Sequence, residues 1–223
     1  MSNLLLKQRQ PKGFYIPKKR RQESAQDIYH KIFQSTSKKH RTRQCLVTLG
    51  QLSAPKVTTP PKEDIDHLVS LYNQDSLHNT FELARELTTD YPGAFIAWNI
   101  LGATCHRLGH IEEADSAFRK VISLNPSYPD GHNNLGTLLT QQGRLDEAIS
   151  SYKEAIRINP EQADLFNNLG LALHQQSKLE ESIDAYEKAI QINPDYAEAF
   201  NNLGNVFREN NEINKAIDSF FMA

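Results

Sequence analysis

Asparagine side chains recur in this sequence at a spacing that could bind the main chain of another polypeptide. The row consists of Asn99, Asn133, Asn134, Asn167, Asn168, Asn201 and Asn202. An amide both donates and accepts hydrogen bonds, so a regular row of asparagines can pair with an extended peptide with little regard to its sequence. The alternative interpretation is that these amides cap or bridge elements of the protein itself. Ile100 interrupts the row, because it follows Asn99 where the other first asparagines are each followed by a second one.

Two histidines have a spacing that suits metal binding. His106 and His110 are four residues apart, which places two ligands on one face of a helix. No acidic residue separates them as in a metalloprotease, and Gly109 predicts a turn between them. Cys45 and Cys105 lie in segments of different character and belong to no short Cys/His cluster with the ligand count of a structural zinc site. The sequence therefore predicts no metal site and no cofactor.

Motifs of catalysis are also missing from the sequence. It contains no glycine-rich phosphate loop, no Gly-x-Ser-x-Gly nucleophile elbow and no Cys/His nucleophile arrangement. We therefore predict that this chain is not an enzyme by itself.

Electrical charge is divided unequally along the chain. Residues 1–62 contain 14 Lys or Arg and two acidic residues, a net charge of +12, whereas the remainder contains 11 Lys or Arg and 25 acidic residues, a net charge of −14. The run Lys18, Lys19, Arg20 and Arg21 could bind phosphates electrostatically. Alternatively, this basic arm is solvated or folds back on the acidic body. Without regularly spaced aromatics or a known recognition module, sequence-specific nucleic-acid binding is not predicted.

A 34-residue repeat organises the acidic part of the chain. Asn-Pro occurs at 125–126, 159–160 and 193–194, and the apolar residues between these sites trace one face of a first helix and one face of a second. Each repeat is therefore predicted to be a helical hairpin that ends at proline. The first helices share Gly102, Gly136, Gly170 and Gly204, and the second helices share Phe118, Tyr152, Tyr186 and Phe220.

The repeat sets the predicted boundaries. A glycine inside a helix costs about 0.8–1.0 kcal/mol relative to alanine, so we expect the repeated glycine to let the partner helix approach closely. Leu68 takes its place in a first, degenerate repeat. The predicted repeats are 61–94, 95–128, 129–162, 163–196 and an incomplete 197–223. Residues 1–60 lack the period, carry few acidic residues and are predicted to be a mostly disordered basic arm.

These aromatic, Leu-Gly, alanine and proline positions at a 34-residue interval resemble the tetratricopeptide repeat. The resemblance covers residues 61–223 and implies an all-α, right-handed superhelical solenoid of antiparallel hairpins, whose concave groove is lined mainly by the first helix of each pair. The second asparagine of each pair, followed by Leu-Gly, is similar to the asparagine ladder of O-linked N-acetylglucosamine transferases. Residues 64–133 are also similar to repeats that precede sulfotransferase or glycosyltransferase domains in bacterial proteins.

The function predicted from these features is that of a non-catalytic scaffold that holds a peptide or protein segment in the groove. The chaperone-binding branch of the family uses Lys and Arg there, whereas the matching region here offers Asp130, Asp164 and Glu198. An acidic groove edge favours neutral or basic partners. The alternative is that the chain is the truncated substrate-recognition part of a glycosyltransferase or sulfotransferase.

Export and membrane insertion are not predicted. Leu4, Leu5 and Leu6 form a three-residue apolar run where a secretory signal needs about 7–15, and no apolar stretch approaches the roughly 20 residues that span a bilayer. A cytoplasmic location is the resulting expectation. The stretch from Phe220 to Ala223 lacks the polar cap of a solenoid, which predicts truncation, fraying or self-association through this apolar end.

Overall fold

The computed structural model describes residues 59–223, and every regular element within them is an α-helix. The ten helices of this part are α1 Lys62–Asn73, α2 Leu77–Asp90, α3 Phe95–Arg107, α4 Ile111–Leu124, α5 Pro129–Gln141, α6 Leu145–Ile158, α7 Ala163–Gln175, α8 Leu179–Ile192, α9 Ala197–Glu209 and α10 Ile213–Met222. The predicted all-α solenoid of helical hairpins is confirmed. Residues 1–58 lie outside the described part, so the basic arm with Lys18, Lys19, Arg20 and Arg21 stays a sequence prediction.

The hairpins stack in chain order into two layers. Each odd-numbered helix packs on the even-numbered helix that follows it, and each even-numbered helix also contacts the next odd-numbered one. Successive odd-numbered helices from α1 to α9 pack directly on one another, whereas successive even-numbered helices in residues 59–223 do not pack backbone to backbone and meet through long side chains, as in the ion pair between Arg119 and Glu147. The stack therefore curves, with the odd-numbered helices forming an inner layer and the even-numbered helices an outer layer.

The turn within each hairpin has three residues, and its middle residue is left-handed. These middle residues are Asp75, Gly109, Gly143, Ser177 and Asn211, with φ of 60°, 79°, 73°, 61° and 60°. The next N–H then reaches the carbonyl five residues back, as from Lys178 to Leu173 at 3.0 Å. Glycine adopts this helix-ending geometry without steric cost. Ser177 therefore carries a conformational cost that Gly143 does not.

We predict opposite effects on stability when glycine and serine are exchanged at these two turns. Ser177→Gly should raise the free energy of unfolding by about 0.5–1 kcal/mol, and Gly143→Ser should lower it by a similar amount, because a left-handed backbone is unfavourable for a residue with a Cβ. Urea unfolding followed by circular dichroism measures both. Changes of the same sign in the two variants would contradict this explanation.

In each of the last four hairpins, an aromatic ring of the outer helix lies against a glycine of the inner helix. A Cβ added to Gly102 would lie 2.6 Å from Phe118 Cε1, and one added to Gly136 would lie 2.7 Å from Tyr152 Cε1. Gly170 and Gly204 show the same relation to Tyr186 and Phe220, at 2.8 and 2.6 Å. The expected close approach thus takes a specific form, in which a ring from the outer helix covers the glycine of the inner helix.

In the first hairpin, the large and the small side chain are exchanged between the two helices. Leu68 and Ala84 occupy the positions 34 residues before Gly102 and Phe118, and both are completely buried in the same apolar core. The large side chain therefore comes from the inner helix and the small one from the outer helix. This exchange explains how the first repeat dispenses with the glycine.

Substitution of the glycine should be most costly where the facing ring cannot move. We predict that Gly102→Ala lowers the free energy of unfolding by about 1–3 kcal/mol, because Phe118 is fully buried. Gly204→Ala should cost less, because Phe220 is 38% exposed and can move away from the same 2.6 Å contact. Thermal and urea unfolding of the two variants provide the comparison.

A double-mutant cycle tests the size exchange directly. Gly102→Leu combined with Phe118→Ala reproduces the arrangement of the first hairpin, and it should be less destabilising than the sum of the two single changes. Additive effects would contradict the proposed packing relation.

The aromatic position near the start of α3 and α5 also has a polar role. Trp98 Nε1 donates to the carbonyl oxygen of Pro92 at 3.0 Å, and His132 Nε2 lies 3.0 Å from the carbonyl oxygen of Pro126, 34 residues later. A carbonyl only accepts, so His132 must donate through this nitrogen. The imidazole thus supplies the same hydrogen bond as the indole of the preceding repeat.

Helix α10 exposes much of its apolar surface. Its exposed side chains are Ile213, Ile217, Phe220, Phe221 and Met222. The equivalent of Phe220 in the preceding hairpin, Tyr186, is completely buried. Self-association through this end stays a prediction of the sequence.

Candidate binding face of the inner layer

The asparagine row lies in the first half of α3, α5, α7 and α9, and hydrogen bonds join its members across adjacent hairpins. The second asparagine of one repeat donates through Nδ2 to Oδ1 of the first asparagine of the preceding repeat. These three bonds, here called the ladder, run from Asn134 to Asn99 at 2.9 Å, from Asn168 to Asn133 at 3.0 Å and from Asn202 to Asn167 at 3.0 Å. The alternative foreseen for these amides, a bridge between hairpins, is therefore what the structure contains.

The ladder leaves part of the hydrogen-bonding capacity of the row unused. Within residues 59–223, no hydrogen bond engages Oδ1 of Asn134, Asn168 or Asn202. All three side chains are partly exposed. One carbonyl acceptor per repeat consequently remains at the surface of the inner layer.

Two asparagines depart from this pattern. Asn167 is 1% exposed and donates to Glu198 Oε1 at 3.2 Å in addition to accepting from Asn202. Both polar atoms of its amide are therefore already hydrogen-bonded within the fold. Asn201 is exposed and makes no hydrogen bond with its side chain in residues 59–223. Of the seven predicted site residues, the structure brings six together in the ladder and leaves Asn201 outside it.

Ile100 replaces the second asparagine of its repeat, so the ladder has no hydrogen bond at this position. Ile100 is 8% exposed and belongs to the main apolar core, and Ile65, 34 residues before Asn99, packs against the same core. Where the row is broken, the two positions are thus occupied by residues of the apolar core.

A second set of polar contacts crosses the repeats near the ends of the inner helices. His106 Nε2 lies 2.6 Å from Gln141 Oε1, and His174 Nε2 lies 2.9 Å from Glu209 Oε2. Both pairs are 35 residues apart, the same separation as the ladder. From the sequence, His106 was weighed only as a metal ligand, although its 35-residue spacing from Gln141 was visible.

Carboxylates line one edge of the inner layer. Asp130, Asp164 and Glu198 each occupy the second position of an inner helix, and within residues 59–223 none of them forms an ion pair. Burial, followed by the hydrogen bond and charge of Asp164, raises the pKa of Tyr196 well above its usual value, with Glu198 adding to the effect. Burial and Asp130 likewise raise the pKa of Tyr128 to about 12.

The outer layer has a different electrostatic character. Asp115 and Glu147 are paired with Arg119 and Arg144, with N···O distances between 2.6 and 3.6 Å. These two outer carboxylates therefore have cationic partners from the protein itself, whereas Asp130, Asp164 and Glu198 of the inner edge have none among residues 59–223.

Comparison with known families identifies the repeats. Models described as tetratricopeptide repeat or TPR repeat match residues 96–128, 117–150, 136–177 and 172–211, which together span most of the helical array. The chain belongs to the tetratricopeptide repeat (TPR) family. The resemblance to repeats that precede transferase domains stays a prediction.

Solved structures share the TPR fold at low sequence identity. A MamA fragment, residues 41 to the end, from Desulfovibrio magneticus RS-1 has a TM-score of 0.65 and 20% identity over 72% of this chain and 90% of that chain. PilF of Pseudomonas aeruginosa has a TM-score of 0.67 and 20% identity over 72% and 73%. YrrB, described as a TPR protein with an unusual peptide-binding site, has a TM-score of 0.61 and 18% identity over 73% and 84%. No curated protein sequence gives a significant match.

Among residues 59–223, no helix has both the length and the apolar character needed to cross a membrane.

We predict a pH-dependent loss of stability for Asn167→Asp. The new carboxylate would be buried beside Glu198, so its pKa in the folded state would be raised, and at pH 7 the variant should lose about 2 kcal/mol or more. Because the folded state then binds a proton more tightly than the unfolded state, the loss relative to wild type should shrink as the pH falls through that raised pKa. Urea unfolding at pH 7 and pH 5 measures the difference.

Asn133→Asp is the matched control. Asn133 is partly exposed and accepts only from Asn168, a bond that a carboxylate preserves. Its effect should be small at both pH values, and an equal pH-dependent loss in the two variants would contradict the assignment of Glu198.

Proposed function

We propose that the TPR array is a non-catalytic interaction scaffold that binds an extended peptide or protein segment along the inner layer. The observation that carries this proposal is the exposed Oδ1 acceptor of Asn134, Asn168 and Asn202, which recurs once per repeat. An extended peptide presents backbone N–H groups along its length, and these can donate to a row of amide carbonyls without a requirement for particular side chains. The ladder itself fixes the direction of these acceptors.

The charge of the inner edge favours a neutral or basic segment. Asp130, Asp164 and Glu198 repeat at 34-residue intervals beside the asparagine row, and they have no ion-pair partner in residues 59–223. A peptide with lysine or arginine would meet complementary charge, whereas an acidic peptide would be repelled. Partner preference would then come from this edge and main-chain affinity from the amides.

Three histidines of the array have hydrogen-bond partners within the protein, which supports a role without catalysis. His106, His132 and His174 each contact a polar group of the protein in a way that ties repeats or loops together. These imidazoles are therefore accounted for by the fold. YrrB, which has a similar fold, is described as having a peptide-binding site, and this agrees with the proposed use of the array.

Selection from a phage-displayed random peptide library tests the proposal. The full chain should enrich peptides that are richer in Lys and Arg than the starting library. Asn134→Ala combined with Asn168→Ala should weaken binding of a selected synthetic peptide by about tenfold, since each lost hydrogen bond contributes about 0.5–1.5 kcal/mol. Fluorescence anisotropy provides the dissociation constants.

Two exposed asparagines of the outer layer serve as the control. Asn79 lies on α2 and Asn214 on α10. Asn79→Ala combined with Asn214→Ala should leave the affinity unchanged, and both double variants should retain wild-type helicity. Failure to enrich any peptide, or equal affinity in the two double variants, would refute binding through the asparagine row.

A further inference from the structure

Three potential metal ligands converge at the turn of the second hairpin. Cys105 lies near the end of α3, His110 is the last residue of the turn, and Glu113 lies in the first turn of α4. Their ligand atoms, the thiol sulfur, an imidazole nitrogen and a carboxylate oxygen, all lie within 4.8 Å of one another. Cys105 Sγ is 3.8 Å from Glu113 Oε2.

We propose that Cys105, His110 and Glu113 form a binding site for a divalent transition-metal ion, with Zn²⁺ as the best-matched occupant. Thiolate, imidazole and carboxylate are the three side-chain ligand types that zinc uses, whereas Mg²⁺ and Ca²⁺ require oxygen ligands throughout. Each ligand atom would have to move by about 1 Å or less to reach zinc bond lengths of roughly 2.0–2.3 Å. Three protein ligands leave the fourth tetrahedral position for water or a partner's side chain.

The fold holds two of the three ligands in place. The left-handed Gly109, with φ of 79°, and the hydrogen bond from His110 N–H to the Cys105 carbonyl at 2.8 Å fix the turn that brings these residues together. The His110 ring packs edge-on against Phe81, with ring centroids 5.6 Å apart. Glu113 is exposed and can adjust to an ion without disturbing the core.

Solvent reaches the cluster from the outer layer. A cleft of about 390 Å³ is lined by Glu113 together with Arg85, Trp98 and Glu112. Cys105 is 0% exposed and does not line this cleft, so an ion would reach the thiol past the two exposed ligands, His110 and Glu113.

Equivalent positions in the next hairpins lack this combination of ligands. Leu139 and Leu173 stand in place of Cys105, and Arg144 and Lys178 stand in place of His110. In the third repeat the equivalent of Glu113 is Glu147, and it pairs with Arg144. The second repeat has thus replaced an apolar residue and a cation with two metal ligands while keeping the carboxylate.

The charges around the thiol are consistent with an exchange of a proton for a metal ion. Burial, and then the neighbouring Glu113, raise the pKa of Cys105 to about 11, so the thiol is protonated at neutral pH. Binding of Zn²⁺ would displace this proton, and the resulting thiolate and the Glu113 carboxylate would together balance the charge of the ion. Arg85 is the cation that acts against the protonated form, because its charge lowers the pKa of the thiol.

Titration of the reduced, metal-free full chain with Co²⁺ tests the site. A bound cobalt–thiolate pair gives a sulfur-to-metal charge-transfer absorption, and we expect this band to saturate at one ion per chain and to disappear on addition of Zn²⁺. Cys105→Ala should abolish the band. Glu113→Gln, an exposed change that spares the core, should weaken Co²⁺ binding by about tenfold or more, since even outer-sphere partners of a metal change its affinity by about 10–100-fold.

Two controls separate this site from other ligands of the chain. Glu112→Gln changes the neighbouring exposed carboxylate of the same cleft, and Cys45→Ser removes the other cysteine. Both should leave the band and the affinity unchanged. No thiolate band in the wild-type chain, a band that survives Cys105→Ala, or full affinity in Glu113→Gln would overturn the proposal.

Discussion

The contact between an inner-helix glycine and an outer-helix aromatic ring sets the geometry on which the rest of the array depends. In the last four hairpins the ring lies where a side chain of the inner helix would otherwise project, so the helices can approach this closely because the residue there is glycine. Repetition of this contact gives successive hairpins the same internal spacing. Equal spacing in turn places the asparagines at a constant offset, which the ladder requires. The first hairpin reaches a comparable fit with Leu68 and Ala84 reversed in size.

Some polar groups of the two layers are satisfied in different ways. On the outer layer, Asp115 and Glu147 are neutralised by arginines of the same array. On the inner edge, Asp130 and Asp164 form no such pair within residues 59–223. Amide groups of the inner layer are half used by the ladder and half available. The inner layer therefore keeps a regular set of polar groups that can form new contacts without first breaking existing ones.

Much of the fold could be predicted because the same physical requirement recurs in each repeat. A glycine that costs helix stability at Gly102, Gly136, Gly170 and Gly204 must be explained by packing, and the structure shows which ring it contacts. The ring partner could not be specified from one hairpin alone, since the register of two helices is a tertiary property. The role of Ala84 was missed for the same reason.

Contacts between repeats were harder to predict than contacts within them. The row of asparagines was visible, but its pairing at a separation of 35 residues depends on how one hairpin is displaced against the next. His106 was considered together with His110 because they share a helical spacing, yet the turn separates them and directs His106 to Gln141. His110 instead meets Cys105 and Glu113, a grouping that depends on the left-handed turn residue between the two helices.

Asymmetry between the layers also determines how the array responds to mechanical load. Successive outer helices meet through side chains such as Arg119 and Glu147 and do not pack directly, so we expect neighbouring hairpins to rotate about their inner contacts without separating a packed outer interface. The bonds that resist this rotation are partly exposed rungs such as Asn134 to Asn99, each with a net contribution of about 0.5–1.5 kcal/mol. We therefore expect individual hydrogen bonds of the ladder to open one at a time under load, so that the pitch of the array changes while its hairpins remain folded.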